Sequence, residues 1–355
     1  MTPQQRLQLF AARTAETAAE LAAWLAENKR RIARPARGLE IDVAEAAREL
    51  ALLNAAAELP PAVGIVGTGA KGRQALVLEL LRPASAQDVD GVTVGFAGLP
   101  QGFSLARHIL PAGEARTTAL TYRIGREDRS PPGHPVRIAL LSELDVIRIL
   151  AGVHLSQSAH TSDPVQIAAR LDTLFSEAET RILPAATPGL TPNETADLEA
   201  YLAHAFPGST LARTLTAAGY WERLGAIASY LPPSERQRLL AVLWGEDPGL
   251  TLLFASLSNG LDKLAHAADV HAVLDALMRR DASSGWFKPH PESLLATTTL
   301  KRLGTGGATD DTVSVTRRGG AALEIDRPVL AALAADISLR IAHPAALEAS
   351  GSGTT

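Results

Sequence analysis

A glycine-rich turn, VGTGAKGRQALVLELL (residues 66–81), carries the residues whose types and spacing best suit chemistry. The apolar run AVGIV (62–66) enters it, and an apolar, helix-like segment leaves it. Glycines between a strand and a helix let backbone N–H groups close on an anion, with the helix N-terminus behind them. Two phosphate chemistries share this outline, beside a purely structural turn. The first is the dinucleotide fingerprint, Gly67-x-Gly69-x-x-Gly72. It requires an acid at the end of the next strand to hold a ribose. The next apolar run, VTVGFAGLP (92–100), ends without one, and Asp88 and Asp90 precede it. The second is a P-loop, because Gly67 and Gly72 have the Gly-x4-Gly separation. There the chemistry wants an ammonium on the β/γ-phosphates and a hydroxyl on magnesium. Arg73 and Gln74 stand at those two positions, and the lysine is displaced to Lys71. Arg73 keeps the charge on a larger, planar group. Gln74 offers an amide oxygen in place of the hydroxyl.

Other candidates read more simply. His266 and His271 are five residues apart, and His154 and His160 six apart, so neither pair stacks on a helix face as i, i+4 zinc ligands do. DVDG (88–91) has the Asp-x-x-Gly spacing and reads as a turn. WGED (244–247) reads as a helix end and a turn, with Trp244 in a helical core. Glu143 and Asp145 open a helix, where their charge suits the macrodipole. No Gly-x-Ser-x-Gly nucleophile elbow occurs.

The elements that must position these residues follow from composition and periodicity. The chain has 355 residues, 46% hydrophobic and 20% charged, a soluble globular balance for one to three domains. A net charge of −4 gives no electrostatic case for nucleic acid or an anionic membrane. The absence of cysteine excludes disulfides and thiolate metal sites. The N-terminal segment lacks the continuous apolar core of a signal peptide, and no long uncharged apolar run appears, so the expectation is a cytoplasmic protein without a transmembrane segment. Residues 1–58 read as helical, with Leu7, Phe10, Leu21, Trp24 and Leu25 at spacings of three and four and RIARPARG (31–38) as a break. Strands are expected at 62–66, 92–96, 118–124 and 135–141. From 143 to about 300 the pattern is mainly helical. DTVSVTRRGGAALEI reads as a hairpin around Arg318-Gly319-Gly320, and DRPVLAALAADISLRIA as a helix capped by Asp326. The tail SGSGTT reads as mobile.

The order of four stretches resembles the N-terminal part of the SrfC-like bacterial virulence factor family, which has features of dynamin-like GTPases. These are the glycine turn itself, FSLARHILPAGEARTTALTYRI (103–124), HPVRIALLSELDVIRILAG (134–152) and YWERLGAIASYLPPSERQRLLAVLWGEDPGLTLLFASLSNGLDKLAH (220–266). IDRPVLAALAADISLRI (325–341) resembles the family's segment leading toward switch II, and Leu110 replaces a family asparagine. The resemblance implies a fold of α/β class plus a large all-α portion: a partial P-loop NTPase-like sheet interrupted by a helical insertion. Its division would be an N-terminal helical region (1–58), a partial α/β domain (59–142), the insertion (143–303), a hairpin and helix returning to the sheet (304–341) and a tail (342–355). A nucleotide site would comprise Gly67, Gly69, Lys71, Gly72, Arg73 and Gln74, with Thr118 as the switch threonine. GTP and Mg²⁺ are the ligands it implies, and proteins encoded with this one are the implied partners; the residues themselves fix no cofactor and no catalytic group. With the P-loop pattern degenerate, no hydrolysis is expected. The family's Asp-x-x-Gly would fall just after 325–341, where the chain reads HPAALEASGSGTT, so the expectation is a truncated product. The alternatives are a helical interaction or scaffold module without nucleotide and, behind it, a dinucleotide-dependent enzyme.

Overall fold

The computed structural model describes residues 3–28, positions 46, 49, 50, 53 and 57, and residues 121–125, 130–131, 133–157, 164–273, 276, 278–280, 287–289, 312–317, 320 and 322–340. The chain divides into two compact units, Met1–Val66 and Gly67–Thr355. In the first, α1 spans Pro3–Asn28. Alanine supplies propensity along its length, and Pro3 sits in the first turn, where its missing N–H costs nothing. One side of α1 packs within its own unit. Gln8 donates from Nε2 to the carbonyl of Ala57 (3.0 Å), and Ala11 and Ala57 are buried.

The second unit is mixed α/β and mostly helical. Among the described residues its larger sheet has six strands in the order β1–β8–β2–β3–β6–β7. These are β1 (Thr121–Gly125), β2 (Val136–Leu140), β3 (Asp269–Ala272), β6 (Thr312–Thr316), β7 (Ala322–Asp326) and β8 (Ala334–Arg340). Only the β1–β8 pair of this sheet is parallel; each other neighbouring pair runs antiparallel. The strands β1 and β2, consecutive in the sequence, are therefore separated by β8. A separate two-stranded ladder joins β4 (Met278–Arg280) to β5 (Phe287–Pro289). In the sheet centre Ile138 faces Ile337 on one side and Val270 on the other, and all three are buried. Arg137 reaches Asp269 on the adjacent strand (2.8 Å).

Between β2 and β3, which are neighbours in the sheet, the chain makes a run of helices: α2 (Glu143–Gln157), α3 (Pro164–Glu179), α4 (Pro192–Ala205), α5 (Thr210–Ala217), α6 (Tyr220–Ile227), α7 (Pro233–Leu240) and α8 (Pro248–Lys263). Proline at the first turn and polar caps set their starts. Thr191 and Glu194 form a reciprocal capping box on α4, Ser209 caps α5, and Asp247 caps α8. Their apolar faces converge on one core. The edge of Tyr220 meets Phe175 at 5.8 Å between centroids, and Trp244 lies 5.3 Å from Phe254. At Gly260 a Cβ would stand 2.5 Å from Val329 Cγ1, so the glycine lets α8 lie directly on α9 (Arg327–Leu333).

Two expectations change. The helical pattern expected to about residue 300 stops at Lys263, where Ala265 and His266 take positive φ (50° and 51°), and strand follows at Asp269. Residues 326–342, read as one helix, are a short helix and then β8. Asp336-Ile337-Ser338-Leu339-Arg340 alternates polar and apolar, which is strand period, and that alternation prevails over the alanine-rich propensity before it. Asp326 stands at the N-cap without a capping side-chain bond. The hairpin expected in 311–325 is present as β6 and β7, with Val313 opposite Ile325 and Val315 opposite Leu323.

Candidate functional site

Gly67, Gly69, Lys71, Gly72, Arg73, Gln74 and Thr118 all lie outside the described residues, as do the expected strands at 62–66 and 92–96. The strand expected from Thr118 onward is described from Thr121, as β1.

The most concentrated polar constellation in the described part is elsewhere, at the start of the helical run. The chain leaves β2 through Leu141, whose N–H donates to the carbonyl of Leu333 (2.8 Å). Ser142 then closes a reciprocal cap with Asp145: the Asp145 N–H donates to Ser142 Oγ (3.1 Å), and the Ser142 N–H donates to Asp145 Oδ2 (3.0 Å). This fixes the first turn of α2 and turns Glu143 inward. Arg236, on α7, meets it there. The two side chains are 3% and 1% exposed, and Arg236 Nε donates to Glu143 Oε1 at 3.1 Å. The guanidinium also donates from Nη1 to Thr187 Oγ1 (3.2 Å) and the Ala228 carbonyl (3.4 Å), and from Nη2 to the Pro188 carbonyl (3.1 Å). The other carboxylate oxygen accepts from the Leu190 N–H (2.9 Å). Gly189 lies against the pair at φ +126°, where a Cβ would be 2.4 Å from Glu143 Oε2 and 2.5 Å from Arg236 Nη2.

Burial raises the Glu143 carboxyl above its ordinary range, and the Arg236 charge and hydrogen bond oppose that rise. Neither group has an open side toward solvent. The arrangement ties α2, the 187–190 loop, the Ala228 turn and α7 to one point, and it is a folding clamp rather than a reacting centre. The expected role of Glu143, a charge at a helix start, is therefore only part of what it does.

The remaining candidates resolve similarly. Trp244 is buried and donates from Nε1 to Thr251 Oγ1 (3.0 Å). Gly245 and Glu246 follow at φ 62° and 55°, and Asp247 caps α8, so WGED is the helix end and turn that its residues imply. Glu246 meets Arg170 at 2.9 Å. His266 bonds Asp262 one turn back on α8 (2.8 Å), whereas His271 is buried in β3. Among the described residues no group of three metal-capable side chains gathers. A groove of about 380 Å³ runs between α8 and the β7–α9 junction, lined by Asn259, Asp262, Lys263 and Asp326 together with the apolar Ile325 and Val329. Lys263 and Asp326 stand 4.0 Å apart there.

Arg236 and Gly189 went unsingled in the sequence. A signal for the first exists: Arg236 precedes Leu239, Leu240 and Leu243 at spacings of three, four and seven, on the face those leucines bury. An arginine in that register must find an acid.

A family model described as "Putative bacterial virulence factor" matches residues 21–350, and the chain belongs to that family. No curated protein and no solved structure matches the chain. Among the described residues no helix is long and apolar enough to cross a membrane.

Proposed function

We propose that this member of the virulence factor family is SrfC-like, is built on a GTPase-like framework, and no longer hydrolyses nucleotide. The observation that carries the reading is the substitution of Arg73 and Gln74 at the lysine and hydroxyl positions of an otherwise correctly spaced Gly67-x4-Gly72 loop. Phosphoryl transfer rests on positioning and charge neutralisation, and the replaced lysine and hydroxyl contribute to both. Loop amides, with Arg73 and Lys71, suffice to hold an anion weakly; binding needs fewer parts than hydrolysis. Thr118, ahead of β1 in the sequence, is the residue that the resemblance assigns as the switch threonine. The function is then carried by binding to proteins encoded with it.

Fluorescent GTP analogues titrated with and without Mg²⁺ test this. Weak binding that strengthens in Arg73→Lys/Gln74→Ser, with no phosphate release from either form, is the expected result. Mg²⁺-dependent phosphate release from the unmodified chain, abolished by Gly72→Val or Thr118→Ala, would overturn it. No binding by either form favours the second reading, a helical interaction module without nucleotide. That reading draws on the clamp at Glu143, where the most buried charges serve packing alone. Binding of NAD(P)H in place of GTP would return the dinucleotide reading.

A further inference from the structure

We propose that the exposed apolar face of α1 is a self-association seam on which two copies of this chain pair antiparallel. Leu7, Phe10, Leu21 and Trp24 are 57%, 67%, 44% and 53% exposed. With Thr14 and Thr17 between them, they repeat at alternating spacings of three and four over the helix, which is a heptad seam. Apolar residues in that register, exposed among the described residues, form a contact surface. The unit's own packing uses the neighbouring side of α1, where Gln8 donates to the Ala57 carbonyl and Ala11 is buried. The two threonines do not oppose burial. Thr14 Oγ1 donates to the Phe10 carbonyl (2.8 Å) and Thr17 Oγ1 to the Arg13 carbonyl (2.9 Å), so their hydroxyls are satisfied by the helix itself.

Charge identifies the occupant. The row flanking the seam, at heptad spacing, reads Arg6, Arg13, Glu20, Glu27. It is basic in the first half of the helix and acidic in the second. Turned end for end, this row is complementary to itself. Antiparallel pairing sets Leu7 against Trp24 of the partner subunit, Phe10 against Leu21 of the partner subunit, and Thr14 against Thr17 of the partner subunit. Side chains tilt toward their own helix N-terminus, and this brings Arg6 to Glu27 of the partner subunit and Arg13 to Glu20 of the partner subunit. The opposite flank holds Ala11 and Ala18, so a parallel pair would leave all four charges without a match. The contact is isologous and closes as a two-fold dimer.

The full chain tests this directly, and its lack of cysteine makes introduced thiols specific reporters. By sedimentation velocity at about 10 µM the chain is expected to run as a dimer. The pairs Arg6→Glu/Arg13→Glu and Glu20→Arg/Glu27→Arg lie on an exposed row. Each pair of changes is expected to weaken self-association by about tenfold or more, and an equimolar mixture of the two variants to restore a dimer. Direction is read by cross-linking with a short bismaleimide. A mixture of Pro3→Cys and Asn28→Cys chains should cross-link, and neither chain alone. A monomeric wild type, a dimer that both charge variants retain, or cross-linking of Pro3→Cys with itself would each overturn the proposal.

Discussion

Replacing Arg236 with methionine should destabilise the second unit by about 3–5 kcal/mol, the cost of breaking a buried ion pair by removing one partner. The structure explains why the loss falls in that range rather than near the 0–1 kcal/mol of an exposed pair. Methionine fills much of the arginine's volume, so little of the effect comes from a cavity. What remains is a carboxylate, 3% exposed, that keeps only the Leu190 N–H at 2.9 Å. The Pro188 carbonyl loses this donor as well, and the Ala228 carbonyl is left with the Leu231 N–H. An unpaired buried polar group costs about 1–3 kcal/mol, and a charged one more. A domain holds only about 5–15 kcal/mol in total, so the variant should remain folded with a much reduced margin. Urea unfolding followed by tryptophan emission reads the change, because Trp221 and Trp244 are both buried in this region.

Acidity supplies a second readout with a definite sign. Glu143 titrates above its ordinary value of 4.5 in the folded chain because it is buried. The folded state therefore holds that proton more tightly than the unfolded state does. Its contribution to stability is fully present below the unfolded value and declines as pH rises toward the raised folded value. Arg236 restrains that rise, so Arg236→Met should raise the folded value further and widen the window. The variant should thus regain stability relative to wild type as the solution is acidified. Glu143→Gln, which removes the titrating group, should abolish the widening, and in the double variant the two losses should fall short of additive by about 1–3 kcal/mol. A loss below about 1 kcal/mol for Arg236→Met, or strict additivity in the double variant, would refute the clamp.

Three further outcomes follow from the same packing. Gly189→Ala should destabilise by at least about 1–3 kcal/mol in urea unfolding, because its φ of +126° is unfavourable for alanine and the new Cβ would meet both members of the pair. Trp244→Ala should cost about 3–5 kcal/mol by the same measurement, through the lost contact with Phe254 and the lost bond to Thr251; a change near zero would mean that the tryptophan is exposed. In ultraviolet alkaline titration, Tyr122 should ionise only near 12, and Tyr220, whose burial pushes its phenol higher still, should ionise only on unfolding; a Tyr220→Phe variant that leaves the titration step at unfolding unchanged would contradict this.

Where a residue's role is local, the sequence carries it. The αL turn at Gly245, the Asp247 cap and the β6–β7 hairpin all depend on neighbours within a few positions, and their residue types announce them. The helical face around Tyr220, Trp221, Leu239 and Leu240 was legible for a related reason, since burial of one side of a helix imposes a period of its own. The order of the sheet was not legible in this way. Placing β8 between β1 and β2 brings together segments about 200 residues apart, and strand pairing leaves no periodic trace of the partner's identity. The clamp fails for the same reason. Glu143 and Arg236 are 93 positions apart, and each has an ordinary local reading, one as a helix-start acid and the other as a surface arginine. Only the register of Arg236 among buried leucines separates it from the exposed arginines nearby, such as Arg238. That contrast is physical. Arg238 is itself 42% exposed and pairs with the equally exposed Glu177, where water would replace the partner, whereas Arg236 has no water to fall back on. A buried charge must have its partner built into the fold, and the partner can be anywhere in the chain.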